Sequence, residues 1–281
     1  MNIKVVLAEN AGFCFGVKRA VDEAIKTQKQ YKKNIYTLGP LIHNNDAVKY
    51  LEHNNVYAID IKDIDNLCEG DVILIRSHGV KANVIEILKN KGLIVVNATC
   101  PYVTNIQQKA KTYYEKGYKI IIIGDEKHPE VVGINGWCND EAIIVNGKNI
   151  PKEFPKRVCV LCQTTEKKET WNKVLTAIAN CSKEIVAFNT ICSATDVRQK
   201  SAKELSESAD KIIVIGGKNS SNTTKLYEIC KKNCNEAYHI ENSKELTNEL
   251  LKNKDITIGI TAGASTPEWV IKEVIEKIKN K

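Results

Sequence analysis

Three cysteines carry the strongest chemical signal in the chain. Cys14 lies in AGFCFGVKRA, bracketed by Gly12 and Gly16, after the apolar run Ile3 to Leu7 and before an amphipathic stretch of Val17, Ala20, Val21, Ala24 and Ile25. Cys100 follows Leu93 to Thr99 and Cys192 follows Glu184 to Thr190 in the same manner. A helix N-terminus stabilises a thiolate at such a strand-to-helix turn, and glycines let the backbone come close to whatever the sulfur holds. Three thiolates without a fourth suit two kinds of metal chemistry. One is zinc in a Cys3His site, with His43, His78 or His128 as the fourth ligand. The other is an iron-sulfur cluster with one iron left open to substrate. Spacing alone leaves these two even.

The cysteines recur together with polar motifs. After the next strand in each case come LGPLIHN with His43, IGDEKHPE with His128 and Glu130, and IGGKNSSN with Ser220, Ser221 and Asn222. Further on come RSHG with His78, CQTT with Thr164 and Thr165, and AGAST with Ser265. From each cysteine to the first of these tips is 29 residues (14 to 43), 28 (100 to 128) and 29 (192 to 221). From there to the second tip is 35 (43 to 78), 36 (128 to 164) and 44 (221 to 265). Self-similarity at a fixed period marks a repeated unit. Ligands of open α/β sheets bind beyond the carboxyl ends of the strands, where all of these tips lie. Hydroxyl, amide and imidazole groups beside helix N-termini suit a phosphate or diphosphate. Ser, Thr and Asn at such places also cap helices, and the two roles are compatible. Glu130 is the one carboxylate placed in the cavity, a candidate proton donor beside a metal; its bland reading is an exposed first-turn glutamate favoured by the helix dipole.

The remaining cysteines, Cys68, Cys138, Cys159, Cys162, Cys181, Cys230 and Cys234, do not recur and read as packing residues. Cys159 and Cys162 form a C-x-x-C inside a strand, with no second pair at zinc-finger spacing, so they too read as structural. His53 and His239 read as surface or satisfied core residues.

The elements that must position these groups are short β-branched runs alternating with helical periodicity. Twelve strands are predicted in three sets of four: Ile3 to Ala8, Asn34 to Gly39, Val56 to Asp60 and Asp71 to Ser77; Leu93 to Thr99, Lys119 to Asp125, Glu141 to Asn146 and Arg157 to Gln163; Lys183 to Thr190, Lys211 to Gly217, Ala237 to Ile240 and Asp255 to Thr261. Trp171, Val174, Leu175 and Ile178, and Trp269, Val270, Val274 and Ile278, mark helices. The predicted class is α/β, three pseudo-threefold-related modules with mainly parallel four-stranded sheets over 1–91, 92–181 and 182–281. The 41 basic and 34 acidic residues of the 281 give a formal charge of +7, spread along helix faces, which favours acidic partners and disfavours nucleic acid. No apolar run reaches the ~18 residues of a membrane span, and no charged-then-apolar leader precedes the first strand, so a cytoplasmic location is predicted. Ten cysteines in such a chain point to reduced thiols and metal ligation.

AGFCFGVKRA, LGPLIHN, RSHGV, NATCPYVTN, GDEKHPE, QTT, NTICSATDVRQ, GGKNSSNT and TAGAST, in this order from the first strand to the last helix, resemble the 4-hydroxy-3-methylbut-2-enyl diphosphate reductase family of the methylerythritol phosphate route to isoprenoids. The resemblance implies a monomeric trefoil of three α/β domains around one 4Fe-4S cluster bound by Cys14, Cys100 and Cys192, and it favours iron-sulfur over zinc. It implies two-electron removal of an allylic hydroxyl as water to give isopentenyl and dimethylallyl diphosphate, with the open iron as Lewis acid. By the same resemblance Glu130 is the proton donor with Thr164, rather than Thr165, as its partner. His43, His78, Ser220, Ser221, Asn222 and Ser265 match diphosphate-binding positions, and His128 matches a substrate-contacting histidine. A reduced ferredoxin or flavodoxin is the implied electron donor. Phe15 departs from the pattern, since a smaller residue is expected beside the first cysteine. Two other classes compete: an aconitase-like hydro-lyase, which needs no reductant, and a non-catalytic iron-sulfur or zinc sensor, which has no use for Glu130.

Overall fold

The computed structural model of the protein describes residues 3–248, 250 and 255–280. Twelve strands form, each within or beside a stretch predicted from sequence: β1 Ile3–Leu7, β2 Ile35–Leu38, β3 Val56–Ile59, β4 Val72–Ile75, β5 Ile94–Asn97, β6 Lys119–Ile123, β7 Ile143–Val145, β8 Arg157–Cys162, β9 Glu184–Ala187, β10 Lys211–Ile215, β11 Ala237–Ile240 and β12 Ile256–Ala262. The helices are α1 Phe15–Tyr31, α2 Asn45–His53, α3 Ala82–Asn90, α4 Pro101–Glu115, α5 Pro129–Asn135, α6 Lys168–Ala179, α7 Ser193–Ser208, α8 Ser221–Asn233 and α9 Glu268–Lys279. Among the described residues no helix is long and apolar enough to cross a membrane.

The strands make three four-stranded sheets, all parallel, in the orders β3-β2-β4-β5, β7-β6-β8-β9 and β11-β10-β12-β1. This differs from the three sets of four read along the chain. The strand that precedes each cysteine pairs with the last strand of the preceding set: β5 with β4, β9 with β8, and β1 with β12. Sequence periodicity identifies a strand but not its neighbour, so the grouping slipped by one strand while the strands themselves held.

Burial explains the composition of the strands. Ile120 to Ile123, Val72 to Ile75 and the whole of β10 are buried, the near-continuous apolar runs of parallel strands covered on both faces. The cysteine-preceding strands β1, β5 and β9 lie at sheet edges and are only partly buried. The helices bury one face. α6 turns Trp171, Val174 and Ile178 inward and α9 turns Val270, Ile271, Val274 and Ile278 inward, whereas Leu175 is only partly buried and Trp269 is exposed, on the rim of the apolar stripe.

By compactness the chain divides into two units, one of Met1–Lys18, Ile42–Tyr50 and Ser193–Lys281, the other of Arg19–Leu41 and Leu51–Cys192. The first holds the β11-β10-β12-β1 sheet and the second holds the other two.

Ile122 is fully buried in a cluster with Ile106, Val131, Ile134 and Leu161. Ile122→Ala is expected to cost about 2–5 kcal/mol, and Ile122→Val about 0.5–1.5 kcal/mol, read as shifts in chemical denaturation. Equal shifts for the two would show that the cluster is not closely packed.

Candidate functional site

The three recurring cysteines occupy equivalent places in the backbone. Each ends the loop after an edge strand and stands at the start of a helix: Cys14 before α1, Cys100 as the cap of α4 with Pro101 behind it, Cys192 before α7. Each main-chain N–H is anchored on the tip of the adjoining strand. Cys14 N donates to the Ala264 carbonyl at 3.1 Å, Cys100 N to Ser77 at 3.0 Å and Cys192 N to Thr164 at 3.0 Å. All three thiols are half-buried. Helix amides lie close by, and Val17 N points at the Cys14 sulfur at 3.5 Å.

The loops before these cysteines are held by residues that sequence reasoning missed. Arg198 of α7 donates to the Gly12 carbonyl at 2.9 Å and to the Ala194 carbonyl at 2.8 Å. Arg19 of α1 donates to the Thr99 carbonyl next to Cys100. Both arginines stand five or six residues beyond a cysteine, in VKRA and DVRQ, and comparing the repeats with one another would have found them. Gly12 has φ +95°, and a Cβ there would meet the Ile271 side chain at 3.0 Å, so the turn before Cys14 requires glycine.

In the first unit, Ser220, Ser265 and the backbone of His43 come together. The Ser265 hydroxyl reaches the Ser220 hydroxyl at 3.2 Å and the His43 carbonyl at 3.3 Å. A Cβ on Gly217 would fall 2.4 Å from that carbonyl, so the LGPLIHN and GGKNSSN loops touch through a glycine. Ser220 caps α8, accepting from Thr223 N at 3.4 Å, and Ser221 begins the helix, half-buried. Asn222 is buried, and both its amide oxygen and nitrogen lack a hydrogen-bond partner. A buried amide with neither group satisfied costs free energy, and a ligand that accepts and donates there would recover it.

In the second unit, His128 caps α5, its Nδ1 accepting from Glu130 N at 3.2 Å, so in the neutral ring the proton sits on Nε2. The His78 and His128 rings meet edge to face with centroids 5.4 Å apart. Glu130, only 2% exposed, has both oxygens held by one residue: Oε1 accepts from Thr164 N and Oε2 from Thr164 Oγ1, each at 2.6 Å. Thr165 instead accepts from Gln163 Nε2 at 2.9 Å, while Gln163 Oε1 accepts from Asp125 N at 3.0 Å and fixes the loop leading to His128. The geometry therefore distinguishes the two threonines.

The other cysteines do not share the strand-to-helix address of Cys14, Cys100 and Cys192; Cys162 ends β8 directly before Gln163 and Thr164. Cys159 packs with Leu161 and Ile122 on one side of its sheet, and Cys162 with Val160 and Ile123 in a different cluster, so the C-x-x-C offers no shared site. Cys138, Cys230 and Cys234 are buried, Cys181 is half-buried and Cys68 is exposed. His53 ends α2, and His239 hydrogen-bonds the Gly216 carbonyl at 2.9 Å, with burial lowering its pKa. Phe15 is 67% exposed, so its ring is not packed into the turn beside Cys14.

The model of the LytB protein family matches residues 5–279. A protein of Clostridium perfringens (strain 13 / Type A) named 4-hydroxy-3-methylbut-2-enyl diphosphate reductase is 71% identical over 280 residues, 99% of each chain. A solved structure of (E)-4-hydroxy-3-methyl-but-2-enyl diphosphate reductase, described as the terminal enzyme of the non-mevalonate pathway, superimposes with a TM-score of 0.72 at 40% identity, covering 100% of both chains. The structure of the E-1-hydroxy-2-methyl-but-2-enyl-4-diphosphate reductase from Plasmodium falciparum superimposes with a TM-score of 0.87 at 29% identity, covering 98% of this chain and 88% of that one.

Burial pushes the Cys138 thiol up to about 11 and those of Cys159 and Cys230 up to about 12. A raised pKa lowers the thiolate fraction, so at about pH 8 alkylation of the folded protein should label exposed Cys68 and spare these three, whose labelling should rise with pH. Peptide mass spectrometry after timed iodoacetamide treatment reads this, and early labelling of Cys159 would contradict it.

Proposed function

The chain belongs to the LytB family, and on that footing we propose that it is a 4-hydroxy-3-methylbut-2-enyl diphosphate reductase, producing isopentenyl and dimethylallyl diphosphate. The reaction adds two electrons and two protons to the allylic alcohol, breaks the carbon–oxygen bond and releases water. One proton goes to the leaving hydroxyl and one to carbon. The electrons come from a reduced ferredoxin or flavodoxin in the cytoplasm.

The observation that carries this reading is a chain of hydrogen bonds in the second unit. Glu130 is bonded through both oxygens to Thr164, and the carbonyl of Thr164 accepts from the N–H of Cys192. A buried carboxyl is thereby fixed one residue away from a thiol of the proposed metal set. Main-chain N–H can only donate, so Oε1 remains an acceptor, whereas the Thr164 hydroxyl can turn from donor to acceptor. The transferable proton of Glu130 is therefore held at Oε2, and Thr164 keeps the carboxyl in place before and after it leaves.

Cys14, Cys100 and Cys192, one from each of the repeats 1–91, 92–181 and 182–281, fit a 4Fe-4S cluster. They are half-buried, stand at equivalent helix starts and are anchored by equivalent main-chain bonds, unlike the other seven cysteines. When bound, such a cluster supplies single electrons and a Lewis-acidic iron. Ser220, Ser221, Asn222 and Ser265, with His43 and His78, bind and orient the diphosphate end, the unsatisfied Asn222 amide supplying both a donor and an acceptor. His128, whose Nδ1 accepts from Glu130 N, contacts the substrate.

Anaerobic purification with iron and sulfide quantitation, followed by the allylic diphosphate and a chemical one-electron reductant, tests the reading. A brown protein with about four irons that yields both five-carbon diphosphates is expected. Glu130→Gln should keep substrate affinity and lose about 10²–10⁴-fold in turnover. A colourless zinc protein, or turnover without any reductant, would overturn the proposal.

A further inference from the structure

Within the second unit, the turn that carries His78 is held from two sides. Gly79 has φ +69°, and a Cβ there would collide with Gln107 Nε2 and come 3.1 Å from Thr99 Cγ2. Gln107 is a buried residue of α4, so the turn runs directly against the helix that Cys100 caps. One residue before His78, the Ser77 carbonyl accepts from Cys100 N at 3.0 Å.

The other side is held by α5, which carries Glu130 and is capped by His128, and by the turn that follows it. A Cβ on Gly133 would come 3.4 Å from the His78 carbonyl oxygen and 3.5 Å from that of Gly79. At Gly136 a Cβ would come 2.9 Å from Lys81 Cα, so a glycine lets the two backbones pass. Next to it, Trp137 Nε1 donates to the Val80 carbonyl at 3.1 Å, whereas Gln107 Nε2 reaches the same oxygen only at 3.5 Å. Lys81 Nζ meets Asp140 at 2.8 Å, with both side chains partly in solvent. Such an ion pair contributes little and the glycine contacts are close approaches without direction, so the indole bond fixes the register of the turn on α5. The His78 and His128 rings of these two elements meet with centroids 5.4 Å apart. An indole N–H needs some acceptor when it is withdrawn from water. Here the acceptor lies two residues from a candidate ligand.

Resting on the reading of His78 as a diphosphate ligand, we propose that Trp137 is a positioning residue for His78: its indole N–H, bonded to the Val80 carbonyl, registers the His78 turn against α5 and sets the spacing of the His78 and His128 rings. Side chains already held in their bound arrangement lose less freedom when the anion arrives, which raises affinity.

Trp137→Phe keeps an aromatic ring and deletes the N–H, and the anaerobically purified holoprotein with inorganic pyrophosphate as probe tests the proposal. The variant is expected to melt close to wild type and to bind pyrophosphate about 3–10-fold more weakly, the size of one lost hydrogen bond. KM for the allylic diphosphate rises by a similar factor with kcat little changed. In a His78→Ala background, Trp137→Phe should change pyrophosphate affinity by less than about 1.5-fold, because the group it positions is gone. An equal loss in both backgrounds shows that Trp137 acts elsewhere and overturns the proposal. So does a lowered melting temperature with unaltered pyrophosphate affinity, the mark of a packing role. Wild-type protein that binds no pyrophosphate removes His78 as a ligand and the proposal with it. Wild-type protein that binds pyrophosphate but makes neither five-carbon product sinks the reductase reading, while the two backgrounds still report on the positioning of His78.

Discussion

The N–H of each recurring cysteine is committed to a carbonyl at the tip of a neighbouring strand, and much of the structure follows from that bond. For it to form, the strand before the cysteine must lie beside the last strand of the preceding repeat, as β5 lies beside β4, β9 beside β8 and β1 beside β12. No repeat therefore completes a sheet from its own four strands. Leu7 pairs with Ile260, so the N-terminal strand that leads to Cys14 is placed by one near the other end of the chain. Thiols presented this way take their positions from hydrogen-bonded sheet, which holds a ligand set more closely than a free loop does.

Side chains assigned to substrate in the proposed reading also cap helices. Ser220 satisfies an amide of α8 and His128 an amide of α5, the ordinary work of residues at helix starts. The Ser220 hydroxyl also accepts from Ser265. Asn222 differs, because neither its amide oxygen nor its amide nitrogen finds a partner among the described residues. Buried side-chain atoms without a hydrogen-bond partner also occur at Arg19, Thr223 and Thr261, so they are not confined to the candidate site.

Glu130 shows how one contact can both stabilise and position. Its two 2.6 Å bonds to Thr164 satisfy a carboxylate that is almost wholly removed from water. The same bonds link α5 to the end of β8, and through the Thr164 carbonyl to the loop of Cys192. A substitution that shifted Glu130 would also strain the turn before Cys192, since both are held by Thr164.

Read alone, the sequence determined the class, the twelve strands, the helix faces and the threefold recurrence of Cys14, Cys100 and Cys192 with their polar tips. These are local properties: β-branched runs, 3.6-residue periodicity and glycine turns declare themselves within a few residues. Tertiary structure alone decided which strand neighbours which, that Thr164 holds Glu130 through both its N–H and its hydroxyl, that Arg198 and Arg19 brace the cysteine loops, and that the Asn222 amide is left without partners. Each of these depends on groups tens of residues apart, 34 between Glu130 and Thr164 and 186 between Gly12 and Arg198. A hydrogen bond is set by distance in space, and no periodicity along the chain encodes that distance.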